Sequence, residues 1–233
     1  ANDSPSSVAN KDALPSKQVF IKPDELLVFK TQALLNWHGH SVGALTGIMN
    51  KNTIKAMQIF QQKHNLPVTT TMDEATWSAL TSNETLNKQP IFINYQLTRD
   101  DLVITKAPKD MQYKSAREAV AEKFHMSQKL VSRLNPTTPL KAGNVITVYN
   151  PYQPNMTEVT KVISDKKKNI LYAYAASGGL VGSCPTSVAS NYTPAASGSF
   201  KVKSRVLSPS DGSDFSSKEK WLPPGPNNPV GRA

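Results

Sequence analysis

The chain has 233 residues, of which 38% are hydrophobic and 19% are charged, together with 11 glycines and 17 prolines. This length and composition exclude a collagen-like chain and wholesale disorder, and they predict two or three folded units. The formal net charge of +10 favours anionic partners such as nucleic acid, anionic lipid or a cell-wall polymer. One cysteine excludes an intramolecular disulfide framework, and no spacing of Cys and His is typical of a structural zinc site.

The amino-terminal part of the chain predicts a leader followed by a helix. Residues 1–22 are rich in Ser, Asn, Lys and Ala without a sustained apolar period, so we expect a flexible leader. From Asp24 onward, apolar residues recur at helical spacing up to Trp37. This pattern predicts a helix capped by Asp24 and ended by Gly39.

Two further helices are expected before residue 90. The first follows Asn50 and stops near Pro67. The second follows Thr71, which forms a capping-box pattern with Glu74. A three-helix domain and its linker therefore occupy residues 23–90.

The residue order in these helices resembles the three-helix peptidoglycan-binding domain. The matching residues are Leu34, Leu35, Thr53, Ala56, Phe60, Gln61, Leu66, Pro67 and the run ATWSAL at 75–80. The resemblance implies that this domain binds the cell wall. A docking or spacer domain of the same fold is the alternative.

Residues 91–150 predict a second module. A short strand near 91–100 connects it to the helical domain, and a further strand is expected at 102–107. Two helices capped by Ser115 and Ser127 follow, and a strand ending near residue 148 closes the module. The order βααβ resembles that of LysM modules, which implies contact with glycan. A βααβ spacer that positions the next domain is the alternative.

Beyond a proline-rich linker at 151–157, the pattern changes from helical to extended. The candidate strands are at 159–163, 170–174, 180–188 and 200–206. Residues 169–200 carry no charge, but their glycines and prolines exclude a spanning helix. We therefore predict an α+β multidomain chain whose last part, residues 158–233, is mainly β.

The most informative stretch is WLPPGPNNPVG at 221–231. Its prolines and glycines exclude a helix and a central strand, and composition alone fits a generic surface loop. With the strand at 170–174, the Thr193–Pro194 turn and Gly198 before Phe200, the stretch resembles the N-terminal half of the L,D-transpeptidase catalytic domain. The resemblance implies a substrate-binding loop formed by Trp221, Pro224, Gly225, Asn227, Asn228, Pro229 and Gly231.

Members of the L,D-transpeptidase family use a cysteine nucleophile paired with histidine, and this chain has no such Cys/His motif. We assign no catalytic residue, no metal and no cofactor, and we expect the 233-residue chain alone to be inactive. A remaining catalytic segment or a second chain is expected to supply the motif. Cys184 fits a buried strand cysteine better than a nucleophile, and His38 and His40 fit solvated or capping roles better than a metal site.

The leading hypothesis is therefore an exported, periplasmic or cell-wall-associated protein that remodels peptidoglycan by L,D-transpeptidation. Its partners are peptidoglycan stem peptides and glycan. A noncatalytic wall-binding or scaffold protein is the alternative. Because the run of three lysines at 166–168 fits a solvated hairpin turn, nucleic-acid binding is not expected. No transmembrane segment is expected either, because glycines and prolines interrupt the uncharged stretch at 169–200.

Overall fold

The computed structural model describes residues 21–102, 115–152 and 158–186, and the strand backbone at 196–197, 200–201 and 213–220. The chain is a mixed α+β structure with a helical amino-terminal region and small antiparallel sheets. The predicted leader falls almost wholly outside the described residues, as does the linker at 153–157.

The amino-terminal region contains the three predicted helices and one more. They are α1 (Pro23–Trp37), α2 (Lys51–Lys63), α3 (Glu74–Thr81) and α4 (Glu84–Asn87). The short α4 lies in the stretch that the sequence predicted as linker. Asn83 caps it by accepting a hydrogen bond from the Leu86 N–H at 3.2 Å.

The start of α1 differs from the prediction. Lys22, not Asp24, occupies the N-cap position in an extended conformation, and its N–H lies 3.4 Å from Glu25 Oε1. Pro23 takes the first helical position, where its missing N–H costs nothing and its fixed φ suits the helix. Asp24 lies in the first turn, where a negative charge favours the helix dipole. The predicted end is confirmed, since Gly39 follows the helix with φ of +92°.

The cap of α3 also differs from the prediction. Asp73, not Thr71, is the N-cap, and its Oδ1 accepts a hydrogen bond from the Thr76 N–H at 2.7 Å. The hydrogen bonds to Thr76 lower the pKa of the Asp73 carboxyl. Asp and Thr both cap helices, but only Asp73 stands directly before the first helical residue.

The second region consists of two strands with helices between them. Its elements are β1 (Phe92–Gln96), α5 (Arg99–Leu102), α6 (Ala116–Phe124), α7 (Gln128–Leu134) and β2 (Val145–Tyr149). β1 and β2 pair antiparallel, with Phe92 opposite Tyr149. Ser115 and Ser127 cap α6 and α7 as predicted, each accepting a backbone N–H at 3.1 Å.

The prediction of a strand at 102–107 is wrong at its first residue, because Leu102 is the last residue of the short helix α5. The reason is a cap that the sequence reading missed. Asp101 Oδ2 accepts the Thr98 N–H at 2.8 Å, and the Asp101 N–H lies 3.4 Å from Thr98 Oγ1. This reciprocal pair starts a helix rather than a strand. Residues 103–107 lie outside the described part.

The carboxy-terminal region is built on an antiparallel sheet. Its strands, in their order across the sheet, are β5 (Leu180–Pro185), β4 (Ile170–Tyr174), β3 (Glu158–Asp165) and β8 (Ser213–Lys220). A separate pair is formed by β6 (Ala196–Ser197) and β7 (Phe200–Lys201). The first three strands were predicted, although β5 ends at Pro185, before the expected residue 188. β8 was not predicted. Lys166, Lys167 and Lys168 form the expected turn between β3 and β4.

The first two regions share one hydrophobic core. A single cluster of buried residues includes Phe29, Phe60 and Trp77 of the helical domain and Phe124 and Val148 of the following module. A smaller cluster lies on one face of the sheet and consists of Val159, Val162, Leu171, Ala173 and Cys184. The elements at 23–102 and 115–149 therefore pack as one body, and the sheet has its own core.

Candidate functional site

The helical domain presents a loop between α1 and α2 that a buried glutamine orders. Gln32 is fully buried on α1. Its Oε1 accepts the backbone N–H of Thr46 at 3.2 Å and of Gly47 at 3.0 Å. Its Nε2 lies 3.1 Å from the Ile48 carbonyl oxygen and 3.0 Å from Thr53 Oγ1. The loop is therefore held to both helices by one side chain.

Gly47 is required by the geometry of that loop. It has φ of +77°, a backbone conformation that disfavours residues with a Cβ. A Cβ at this position would lie 2.5 Å from Cζ of Phe29, whose side chain is fully buried. The loop therefore crosses the Phe29 ring at a distance that only glycine permits.

A second buried glutamine orders the loop between α2 and α3. Gln61 Oε1 accepts the Thr69 N–H at 2.9 Å, and its Nε2 donates to Thr69 Oγ1 at 2.7 Å and to Thr76 Oγ1 at 2.9 Å. Both interhelical loops of the domain are thus fixed by polar side chains inside its core. The role of Gln32 was not predicted from the sequence. The available sign was a polar glutamine within a helix whose neighbouring residues are mostly apolar.

The end of α1 joins the helical domain to the edge strand β5. Ser41 N–H donates to the Ser183 carbonyl oxygen at 2.9 Å, and Ser183 N–H donates to the Gly39 carbonyl oxygen at 3.0 Å. These bonds form a parallel bridge between His40 and Ser183. The His40 Nδ1 also lies 3.0 Å from Ser183 Oγ. Part of the β5 edge is therefore paired with the helical domain.

The histidines near this junction contact backbone and side-chain groups of the fold. His38 is the C-cap of α1, and its Nε2 lies 3.0 Å from the Leu80 carbonyl oxygen. His40 is fully buried, and burial lowers its pKa to about 3. His38, His40 and His64 all contact the Phe60 ring. Within the described residues, no group of three or more His, Cys, Asp or Glu side chains is arranged to hold a metal ion.

Cys184 is not placed for nucleophilic chemistry. It is 1% exposed in the core of the sheet. Burial raises the pKa of its thiol to about 12, so the thiol stays protonated at neutral pH. This agrees with the prediction of a buried strand cysteine.

A shallow depression lies on the outer side of the hairpin formed by β3 and β4. Its volume is 320 Å³, and its lining includes Thr160, Lys161, Ile163 and Tyr174. Tyr172 lies beside it, with its ring centroid 6.5 Å from that of Tyr174. The hairpin thus carries two half-buried tyrosines from the stretch at 170–174 that the sequence singled out.

The residues predicted to bind substrate lie outside the described residues. They are Trp221, Pro224, Gly225, Asn227, Asn228, Pro229 and Gly231. The strand β8 ends at Lys220, directly before Trp221. The prediction of a binding loop at 221–231 therefore stays a prediction.

Comparison with known proteins identifies the helical domain. Residues 27–80 match the family described as "Putative peptidoglycan binding domain". The matched segment covers most of α1, both glutamine-ordered loops, α2 and most of α3. No curated protein sequence matches the chain. The chain therefore contains a peptidoglycan-binding domain, which indicates association with the cell wall. Across the described ranges, no helix is long and apolar enough to cross a membrane.

Proposed function

We propose that this protein attaches to peptidoglycan through the helical domain at 27–80. The observation that carries the proposal is the family match, which falls on a domain of three helices with ordered loops. Gln32 and Gln61 fasten those loops to the helices by hydrogen bonds from inside the core, without any ligand. A pre-ordered surface loses less conformational entropy on binding than a mobile one, so it favours a stable complex.

The second region supports a further contact with glycan. The helices α6 and α7 followed by the strand β2 are the part of the predicted βααβ order that the structure describes, whereas α5 stands at the start of the predicted first strand. This region shares a core with the peptidoglycan-binding domain. We propose that the two regions contact the wall as one body, with a spacer role as the alternative.

Co-sedimentation with purified peptidoglycan sacculi tests the binding proposal. We expect the chain to pellet saturably with sacculi and not with cellulose. Replacing Gln32 by Leu removes the loop contacts and is expected to weaken pelleting, whereas Gln62→Leu on the exposed face of α2 leaves it unchanged. Circular dichroism checks that both variants are folded. Equal pelleting with cellulose, or none with sacculi, contradicts the proposal.

A second candidate function is L,D-transpeptidation, favoured by the resemblance of residues 170–200 and 221–231 to the front part of that catalytic domain. In the proposed reaction, a cysteine thiolate attacks the carbonyl before the terminal D-alanine of a stem tetrapeptide. D-Alanine leaves, and a thioester forms. An amine of a neighbouring stem then attacks the thioester, which creates an amide cross-link and returns the thiol.

No residue of this chain is proposed to perform that attack. Cys184 is buried and protonated, so the 233-residue chain is expected to form no acyl adduct with a disaccharide tetrapeptide. Intact-mass spectrometry of the chain after incubation with this substrate measures the outcome. An acyl adduct on the chain would contradict the proposed scheme.

A further inference from the structure

A group of lysines lies where the helical domain meets the sheet. We define the lysine ridge as Lys51, Lys55, Lys166, Lys167 and Lys168. The first two are one helical turn apart on α2, and the other three form the turn between β3 and β4. Lys55 Nζ donates to the Lys168 carbonyl oxygen at 2.7 Å, which holds this turn against α2. The two groups of lysines therefore form one continuous surface.

The ridge carries positive charge with little compensation. Lys51 and the three turn lysines are exposed, and α2 contains no Asp or Glu. The carboxylate of Asp165 accepts the N–H groups of Lys167 and Lys168, each at 3.0 Å, so it orders the turn. Among the residues the structure describes, no ion pair joins an acidic side chain to a ridge lysine. A surface of this kind attracts anionic ligands.

We propose that the lysine ridge binds the carboxylates of peptidoglycan stem peptides. This inference rests on the proposed attachment to peptidoglycan. Lys51 and Lys55 belong to the segment that matches the peptidoglycan-binding family, so part of the ridge lies on the domain proposed to hold the wall polymer. Stem peptides carry free carboxylates, and ammonium groups form charge-assisted hydrogen bonds with them.

The position of the ridge suits a polymeric ligand better than a single small molecule. It spans the family-matched domain and the β3–β4 turn, which Lys55 joins at one point. Exposed ion pairs are individually weak and are screened by salt. Several such pairs along one polymer act together, because each contact raises the effective concentration of the next. Binding through the ridge is therefore expected to depend strongly on salt.

Charge reversal tests the ridge in the sacculus assay. We compare Lys166→Glu/Lys167→Glu with the matched control Lys22→Glu/Lys88→Glu, whose lysines are also exposed but lie outside both regions proposed to contact the wall. At low salt we expect the ridge variant to bind sacculi about tenfold more weakly than wild type, from the summed loss of exposed ion pairs. The control is expected to stay within about twofold of wild type, and the difference is expected to shrink at about 0.5 M salt.

A second arm identifies the ligand. Glycan stripped of stem peptides by an amidase should bind wild type and the ridge variant equally. A difference that persists on stripped glycan overturns the assignment to stem-peptide carboxylates. Loss of binding to phosphatidylglycerol vesicles or to DNA, without loss on sacculi, assigns the ridge to another partner and also overturns it.

The outcomes also distinguish failure of the ridge proposal from failure of the proposed attachment to peptidoglycan. If wild type pellets with sacculi and the ridge variant pellets equally well, the ridge proposal is wrong and attachment through 27–80 stands. If wild type does not pellet at any salt concentration, both proposals are wrong.

Discussion

At the scale of single residues, the peptidoglycan-binding domain depends on a few positions that are neither exposed nor apolar. Gln32 and Gln61 lie inside the core, yet every hydrogen bond they make is to a loop or a neighbouring helix. Removing either side chain leaves at least one partly buried N–H group without that partner, which costs at most about 1–3 kcal/mol per group. The apolar positions around them follow from helical spacing. The glutamine contacts do not, because they join residues 8 to 21 positions apart.

Gly47→Ala is predicted to destabilise the helical domain. The new Cβ would meet the buried Phe29 ring at 2.5 Å, and alanine would be forced to a φ of +77°. We expect a loss of about 2–4 kcal/mol, measured by urea denaturation.

Gly143→Ala is the matched control for this substitution. Its φ of +92° carries the same backbone cost, but nothing lies within 4 Å of a Cβ built there. We expect only about 1–2 kcal/mol. Equal losses for the two variants would show that contact with Phe29 is not what makes Gly47 necessary.

The Cys184 thiol is predicted to be unreactive in the folded chain. Burial raises its pKa to about 12, so little thiolate exists at pH 8 and reagents do not reach the sulfur. Ellman's reagent should titrate about one thiol only after denaturant is added. Rapid reaction of the native chain would argue against the buried strand position.

At the scale of secondary-structure elements, local chemistry decided where helices begin. Ser115 and Ser127 were predicted from sequence because each stands directly before an apolar helical pattern. The helix α5 was missed because its cap, Thr98 with Asp101, is followed by apolar residues that also fit a strand. β8 was missed because its sequence SDFSSKEK has almost no apolar alternation, and its place is set by pairing with β3.

Asp73→Ala is predicted to destabilise α3 by about 1 kcal/mol, because the Thr76 N–H loses its partner. Thr71→Ala is predicted to be nearly neutral, since the Thr71 side chain does not cap the helix. Thermal unfolding of both variants measures the difference. A larger loss of stability for Thr71→Ala than for Asp73→Ala would support the capping box predicted from sequence instead.

At the scale of the whole molecule, sequence patterns predicted the succession of helical, mixed and β regions, and the observed elements follow that succession. They did not predict how the regions meet. The bridge between His40 and Ser183 joins positions far apart in the chain and uses backbone groups, which have no sequence signature. The same limit applies to the lysine ridge, since Lys55 meets the Lys168 carbonyl only in the folded chain.

The stability of the chain is predicted to fall as the pH drops from about 6.5 to 4.5. Burial lowers the pKa of His40 to about 3 and that of His125 to about 4. In this window the unfolded chain binds protons that the folded chain excludes, so each histidine contributes about 1.4 kcal/mol per pH unit. The carboxyls whose pKa is lowered, including Asp73 and Glu25, reduce stability mainly below this window.

The variant His40→Gln is expected to flatten this pH profile, whereas His64→Gln on the exposed surface should alter it less. Urea midpoints at several pH values provide the test. A profile that is flat between pH 6.5 and 4.5 in the unmodified chain would mean that neither histidine is held neutral by the fold.

Hydrogen–deuterium exchange with soluble peptidoglycan fragments tests most directly whether the helical domain holds the wall. We expect slower exchange at amides within residues 27–80, concentrated in the loops that Gln32 and Gln61 order and extending to the turn at 166–168. No protection within 27–80 at saturating fragment, or protection confined to the sheet, would contradict it.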